Sequence, residues 1–300
     1  MQFAHLATRL FNTPIAIHPR KAEIAMAGLA ERLGITSIIG TDGRSIKPGA
    51  WFDDDDDFTS AKPTRSDPGY DVFNGVAVLP VTGTLVHKLG SVRPYSGMTG
   101  YDGIRQAWLT AQDDPEVKAI AEVYDSGGGE VAGCADLFET KLAMRGNKPC
   151  WAILQESAYS AAYWLASAAD RIVVPRTGGT GSIGIICMHV DMSDALSKAG
   201  LKVTFITSAG ADRKTDGHSE IPLSADALSA IQVEIDAMGD IFHDSVARGR
   251  GLSADAVRDM KAGTFMGQPS NGQPSAIDVG LADAVMSPEQ AFAALLAEVA

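Results

Sequence analysis

The chain has 300 residues, 45% hydrophobic and 21% charged, which suits a globular protein with one large core or two small ones. Its net charge of −12 argues against sequence-independent nucleic-acid binding, which needs a basic surface. No run approaches the roughly 18–20 consecutive apolar residues that span a bilayer, so no membrane segment is expected.

Met1–Arg20 carries His5, Arg9, His18 and Arg20 among its apolar residues and lacks the apolar run and small-residue cleavage site of a signal peptide. Residues 20–33 (RKAEIAMAGLAERL) place Ile24, Leu29 and Leu33 near one helical face. A Gly-rich link, the acidic run Asp53–Asp57 and the turn-rich KPTRSDPG follow. The five carboxylates read as a solvated, self-repelling loop rather than a cation site, whose ligands are usually spaced to wrap the ion. Residues 1–66 are therefore expected to form an N-terminal extension with an acidic linker, and residues 67–300 the main domain.

From about Tyr70 strands and helices alternate. Strands are expected over 76–81 (VAVLPV), 117–124 (VKAIAEVY), 150–154 (CWAIL), 172–174, 183–190 (IGIICMHV) and 203–206 (VTFI). Helices are expected over 101–112, 130–144, 160–169 and 193–199, then over 228–248, 253–260 and 288–299. Such alternation predicts an α/β fold, a largely parallel sheet with helices on both faces. Cys134, Cys150 and Cys187 include no CxxC pair, which suggests neither a disulfide framework nor a zinc site and fits a reducing cytoplasm. All three lie in apolar stretches and are expected to be buried.

Four loops carry candidate chemistry. Asp125–Gly129 (DSGGG) follows a strand, and its three glycines let backbone N–H groups face a cavity; the plain alternative is a flexible turn or an anion nest. Glu156–Trp164 (ESAYSAAYW) leads into a helix at Ser160, which is either an N-cap or a nucleophile beside N–H groups suited to an oxyanion. Thr177–Gly184 (TGGTGSIG) is a glycine-rich turn, and Ser208–Gly217 (SAGADRKTDG) a polar loop containing Lys214. Singly, each has an ordinary structural explanation.

Together and in this order, the loops resemble those of the SppA-type signal peptide peptidases, in particular their phage head-maturation branch. The matching elements are Ser126–Gly129, Ser160, Thr180–Gly184 and Lys214, within a resemblance that covers roughly residues 75–285. Gly127 stands where the family has proline, and Thr215 follows the lysine, with the acidic residue one further on at Asp216. The insertion 268–274 interrupts the approach to Gly280–Asp283 (GLAD).

The resemblance implies a ClpP/crotonase-like fold and a Ser-Lys mechanism. Ser160 would be the nucleophile, Lys214 the general base, and Ser182 the hydroxyl that orients the lysine. Gly128, Gly129 and Ala161 would supply the oxyanion-hole N–H groups, with no metal and no cofactor. Lysine serves as a base near neutral pH only where burial lowers its pKa, so a buried Lys214 is expected. His189 is the rival base, since ClpP itself uses Ser-His-Asp, but its strand-like setting reads as packing.

The expectation is a cytoplasmic serine endopeptidase acting on protein or peptide substrates. By resemblance these are phage scaffold or portal proteins in the host cytoplasm or assembling procapsid, with a homo-oligomeric enzyme. The alternatives are a bacterial signal-peptide or protein-degrading peptidase, a crotonase-like acyl-CoA enzyme, and a catalytically silent scaffold protein.

Overall fold

The computed structural model describes residues 14–18, 38–39, 45–46, 67–269 and 272–300. The helix expected over 20–33 and the acidic run Asp53–Asp57 lie outside the described residues. The elements in chain order are β1 (Ile15–Ile17), β2 (Ile38–Ile39), β3 (Ser45–Ile46), β4 (Asp71–Phe73), β5 (Val76–Val86) and β6 (Met98–Gly100). Then come α1 (Tyr101–Asp113), β7 (Ala119–Glu130), α2 (Cys134–Ala143), β8 (Cys150–Ala158), α3 (Ala161–Ala166), β9 (Arg171–Val174) and β10 (Gly179–Gly181). The rest is α4 (Ser193–Lys198), a 3₁₀ turn (Asp212–Thr215), α5 (Ala225–Arg250), α6 (Ala254–Asp259), β11 (Thr264–Met266), β12 (Ala284–Val285) and α7 (Pro288–Glu298).

The expected α/β architecture is present: a sheet in which β5, β7, β8 and β9 run parallel to one another, flanked by helices. The strands read as nearly continuous apolar runs because both faces are covered. Side chains alternate across a strand, so Ile120 and Tyr124 join one core with α1, α2, α3 and α5. Ala119 and Ala121 join a second core against Ala291 and Leu295 of α7. In β8, Ala152 and Leu154 face the first core, and Trp151 and Ile153 the second.

Helix ends follow their local sequence. Ser224, Ser253 and Ser287 cap α5, α6 and α7 through their side chains, and Ser287 forms a capping box with Gln290. α5 stops at Gly251, whose φ of 67° is left-handed. The Gly280–Asp283 segment is fastened to the sheet: Asp283 accepts a hydrogen bond from Ile172 N at 2.7 Å, and Tyr163 OH donates to Leu281 O at 2.8 Å.

Three expectations are corrected. Residues 183–190 form no strand, only an isolated bridge at Ile186, and residues 203–206 are irregular. Both runs are apolar, but among the described residues neither meets a continuous strand to complete a ladder, and Ile206 stands 94% exposed. Cys187 is only half-buried, whereas Cys134 and Cys150 are buried. Burial pushes the Cys134 thiol up to about 12, as befits a small hydrophobe. Residues 15–17 of the N-terminal extension pair antiparallel with β7 and carry buried side chains.

Candidate active site

β7 runs straight through the glycine loop, because its far end pairs with both β5 and β1. β8 leaves β7 after the Ser126–Ala158 pair and turns sharply into α3. Ser160 stands on that turn with φ 55° and ψ −123°. Such a conformation costs a non-glycine residue about 1–3 kcal/mol and recurs where a serine must be thrust forward between a strand and a helix.

The turn is held from several sides. Ser160 N donates to Gly181 O at 2.8 Å, Tyr159 N to Ser126 O at 3.0 Å, and Trp164 N to Ser160 O at 2.8 Å. Beneath it α3 is wholly buried, and the Trp164 ring stacks on Phe242 of α5 at 4.2 Å. The Ser160 hydroxyl does not cap α3. Its Oγ is buried and has no hydrogen-bond partner among the described residues, so the N-cap reading fails.

The glycine loop meets this serine. A Cβ on Gly128 would stand 2.9 Å from Ser160 Cβ and 3.0 Å from Ala161 N, and would collide with Ala16 O. With φ at 99°, Gly128 also has a backbone that L side chains rarely adopt. Its N–H donates to Ser126 Oγ at 3.1 Å, and Ser126 Oγ donates in turn to Gly83 O at 2.6 Å. Gly129 sits inside the ladder, paired with Leu85 on one side and Ala16 on the other. The Ala161 N–H, first in its helix, has no acceptor among the described residues, and a helix N-terminus favours negative charge.

Ser182 follows the Gly181 carbonyl that Ser160 N binds; it is buried, has φ 53°, and donates its N–H to Gly263 O at 2.8 Å. Ser160, Gly128, Gly129, Ala161 and Ser182 are thus brought into one corner. Lys214 is not brought onto it: it lies exposed in the 3₁₀ turn, and its Nζ has no partner among the described residues. The burial expected of Lys214 is absent. His189 is half-buried in an irregular segment and is not bonded to Ser160 Oγ either.

One buried group escaped the sequence reading. Lys141 of α2 reaches Glu122 of β7 at 2.8 Å and also donates to Leu165 O, in the last turn of α3, at 2.7 Å. Tyr124 OH donates to Glu122 at 3.1 Å. This pair ties α2 and α3 to the central strand. Its one sequence signal was a glutamate inside the otherwise apolar run AIAEVY.

Residues 143–300 match the profile of peptidase family S49. The chain is 37% identical over 296 residues to the head-tail preconnector protein GP5 of Enterobacteria phage P21, covering 97% of this chain and 57% of that protein. It is 37% identical over 295 residues to the capsid assembly protease C of Escherichia phage lambda, covering 96% and 64% respectively. Protease 4 of Haemophilus influenzae is 30% identical over 209 residues, covering 69% of this chain and 33% of that protein. The chain thus spans about three-fifths of the length of the two phage proteins.

Proposed function

Because the chain belongs to peptidase family S49, we propose that it is a serine endopeptidase with Ser160 as nucleophile and Lys214 as general base. One observation carries the reading: Ser160 is held in a strained strand-to-helix turn, its hydroxyl unpartnered, beside the unused Ala161 N–H. Ser160 Oγ would attack the scissile carbonyl carbon while its proton passes to the neutral Lys214 amine. The oxyanion would be received at Ala161 N–H and at the N–H groups of Gly128 and Gly129. In the present arrangement Gly128 N–H is engaged with Ser126, so a shift of that peptide belongs to the proposal. Collapse would expel the amine, which takes its proton from the lysine ammonium, and water would then hydrolyse the acyl-enzyme.

A lysine becomes a base where its ammonium is stripped of water, so the turn carrying Lys214 has to be covered and brought to Ser160. Exposed apolar residues of the same arm, Leu201, Val203 and Ile206, with Leu228 and Val233 on α5, favour a second copy of the chain as the cover. Ser182 would be the hydroxyl that orients the lysine once the turn is in place.

The two phage relatives named for capsid assembly and the head-tail preconnector support substrates among proteins of an assembling capsid, such as scaffold or portal proteins, in the host cytoplasm or procapsid. Among the described residues no helix is long and apolar enough to cross a membrane. Treatment with a serine-directed phosphonate followed by peptide mapping tests the proposal: the adduct is expected on Ser160. A homogeneous protein that hydrolyses peptides but labels elsewhere, or not at all, would overturn it.

A further inference from the structure

β7 outruns β8. Their pairing ends at Ser126–Ala158, where β8 turns away to present Ser160, so one edge of residues 127–131 is left without its parallel neighbour. β1 lies on that edge. His18 N donates to Gly127 O at 2.7 Å, and Val131 N to Pro14 O at 3.4 Å, with Ile15–Ile17 in register against Glu130–Gly128.

The other edge of β1 is also taken. Ile15 N donates to Ile186 O at 2.9 Å, and Ile186 N to Ile15 O at 3.0 Å. The segment therefore lies along the open edge of β7 and, at Ile15, is held between two backbones. It runs past the catalytic corner, because the Ala16 carbonyl occupies the space over Gly128 that Ser160 Cβ and Ala161 N also border.

At one end Pro14 opens on a cleft of about 380 Å³ that it shares with Arg213, Asp216 and Gly217, the neighbours of Lys214. At the other the His18 ring rests on Tyr159, next to the nucleophile, at 4.8 Å. The segment thus spans from the lysine turn to the serine turn, the course a cleavable peptide would have to follow. With it in place Ser160 is only 1% exposed, and a protein substrate cannot reach the hydroxyl.

From this we infer that Pro14–His18 is an intramolecular competitor: it fills the site where an extended substrate adds as an antiparallel strand, and it must leave before a substrate is cut. The inference rests on the peptidase reading for its consequence, but the binding site it describes can be tested without catalysis. Strand addition draws affinity from main-chain hydrogen bonds and specificity from alternate side-chain pockets. The side chains of Ile15, Ala16 and Ile17 are all buried in this site, so the competing substrate is an extended peptide with small or aliphatic residues.

The test uses the full chain carrying Ser160→Ala, with and without Ile15→Pro and Ile17→Asp, and a fluorescein-labelled peptide of the sequence FNTPIAIHPR. Ile15→Pro deletes the hydrogen bond to Ile186, and Ile17→Asp puts a carboxylate into the apolar site. Vacating the site should tighten peptide binding, read by anisotropy, by about tenfold or more. Equal binding to both proteins, with circular dichroism showing both folded, overturns the inference.

Should the double variant fail to fold, the unsubstituted chain decides. Excess peptide should speed amide exchange at Ile15 and His18, and unchanged protection while the peptide binds overturns the inference. In the active enzyme, Ile15→Pro with Ile17→Asp should lower KM by a similar factor at constant kcat. A binding difference without hydrolysis in any protein would refute the peptidase reading and leave the competitor in place.

Discussion

The region from Val76 to Val174 and the arm from Gly184 to Ser224 differ in what surrounds them. In the first, every residue of the helix behind Ser160 is buried, and strand, glycine loop and helix brace that serine from several sides. In the second, the short helix α4 buries no residue and Ile206 is 94% exposed. Both carry a proposed catalytic residue. A side chain gains fixed geometry from the backbone and core packed around it, so Ser160 acquires its geometry within the chain and Lys214 does not. Half of the proposed machinery is thus preorganised by the fold, and the other half depends on what covers the arm.

The largest effect should come from the preorganised half. Ser160→Ala is expected to cut kcat/KM by on the order of 10⁴-fold or more while the thermal midpoint stays put, since the hydroxyl makes no bond to lose among the described residues. A folded variant with substantial activity would show that the strained turn serves another purpose.

Next is the exposed half. Lys214→Ala should cost roughly 10²–10⁴-fold, and Lys214→Arg should do no better, because guanidinium does not give up its proton. His189→Ala should stay within a fewfold of the parent, and Ser182→Ala should fall between. The opposite ranking in steady-state assays would transfer the base to His189. An equimolar mixture of Ser160→Ala and Lys214→Ala proteins sharpens the comparison: recovered activity means that the lysine is supplied by a second copy, and continued silence means that the turn moves within one chain.

A smaller effect, on stability, tests the bracing itself. Lys141→Met leaves the Glu122 carboxylate buried without its cation, which should cost about 3–5 kcal/mol in denaturant unfolding. Adding Glu122→Gln should return part of that loss. The least effect on stability is expected in the arm, where Ile206→Asp should alter unfolding by no more than about 0.5 kcal/mol. The same substitution should shift light scattering towards smaller species. A parent protein that is strictly monomeric at micromolar concentration would remove the second copy from the account.

Elements with a full complement of local signals were legible. The apolar run CWAIL became β8, and the helices capped by Ser253 and Ser287 begin where their serines stand. Legibility failed where pairing overrides composition. DSGGG carries turn residues, yet it continues β7 because β5 and β1 supply ladders on its two sides. IGIICMHV and VTFI carry strand composition, yet among the described residues neither has a ladder that would make it a strand.

The residues in their order along the chain already carried the candidate chemistry: a glycine loop, then a serine entering a helix, a second glycine turn and a lysine. The sequence also determined the α/β class, through apolar runs that alternate with amphipathic stretches. Which of these residues meet depends on the folded chain. The fold set Ser160 against Gly128 and Ala161, laid Pro14–His18 across them, and left Lys214 on the outside. The physical reason is that a strand's open edge is satisfied by whatever backbone reaches it, and nothing in the pattern of residues 14–18 announces that they are the ones to do so.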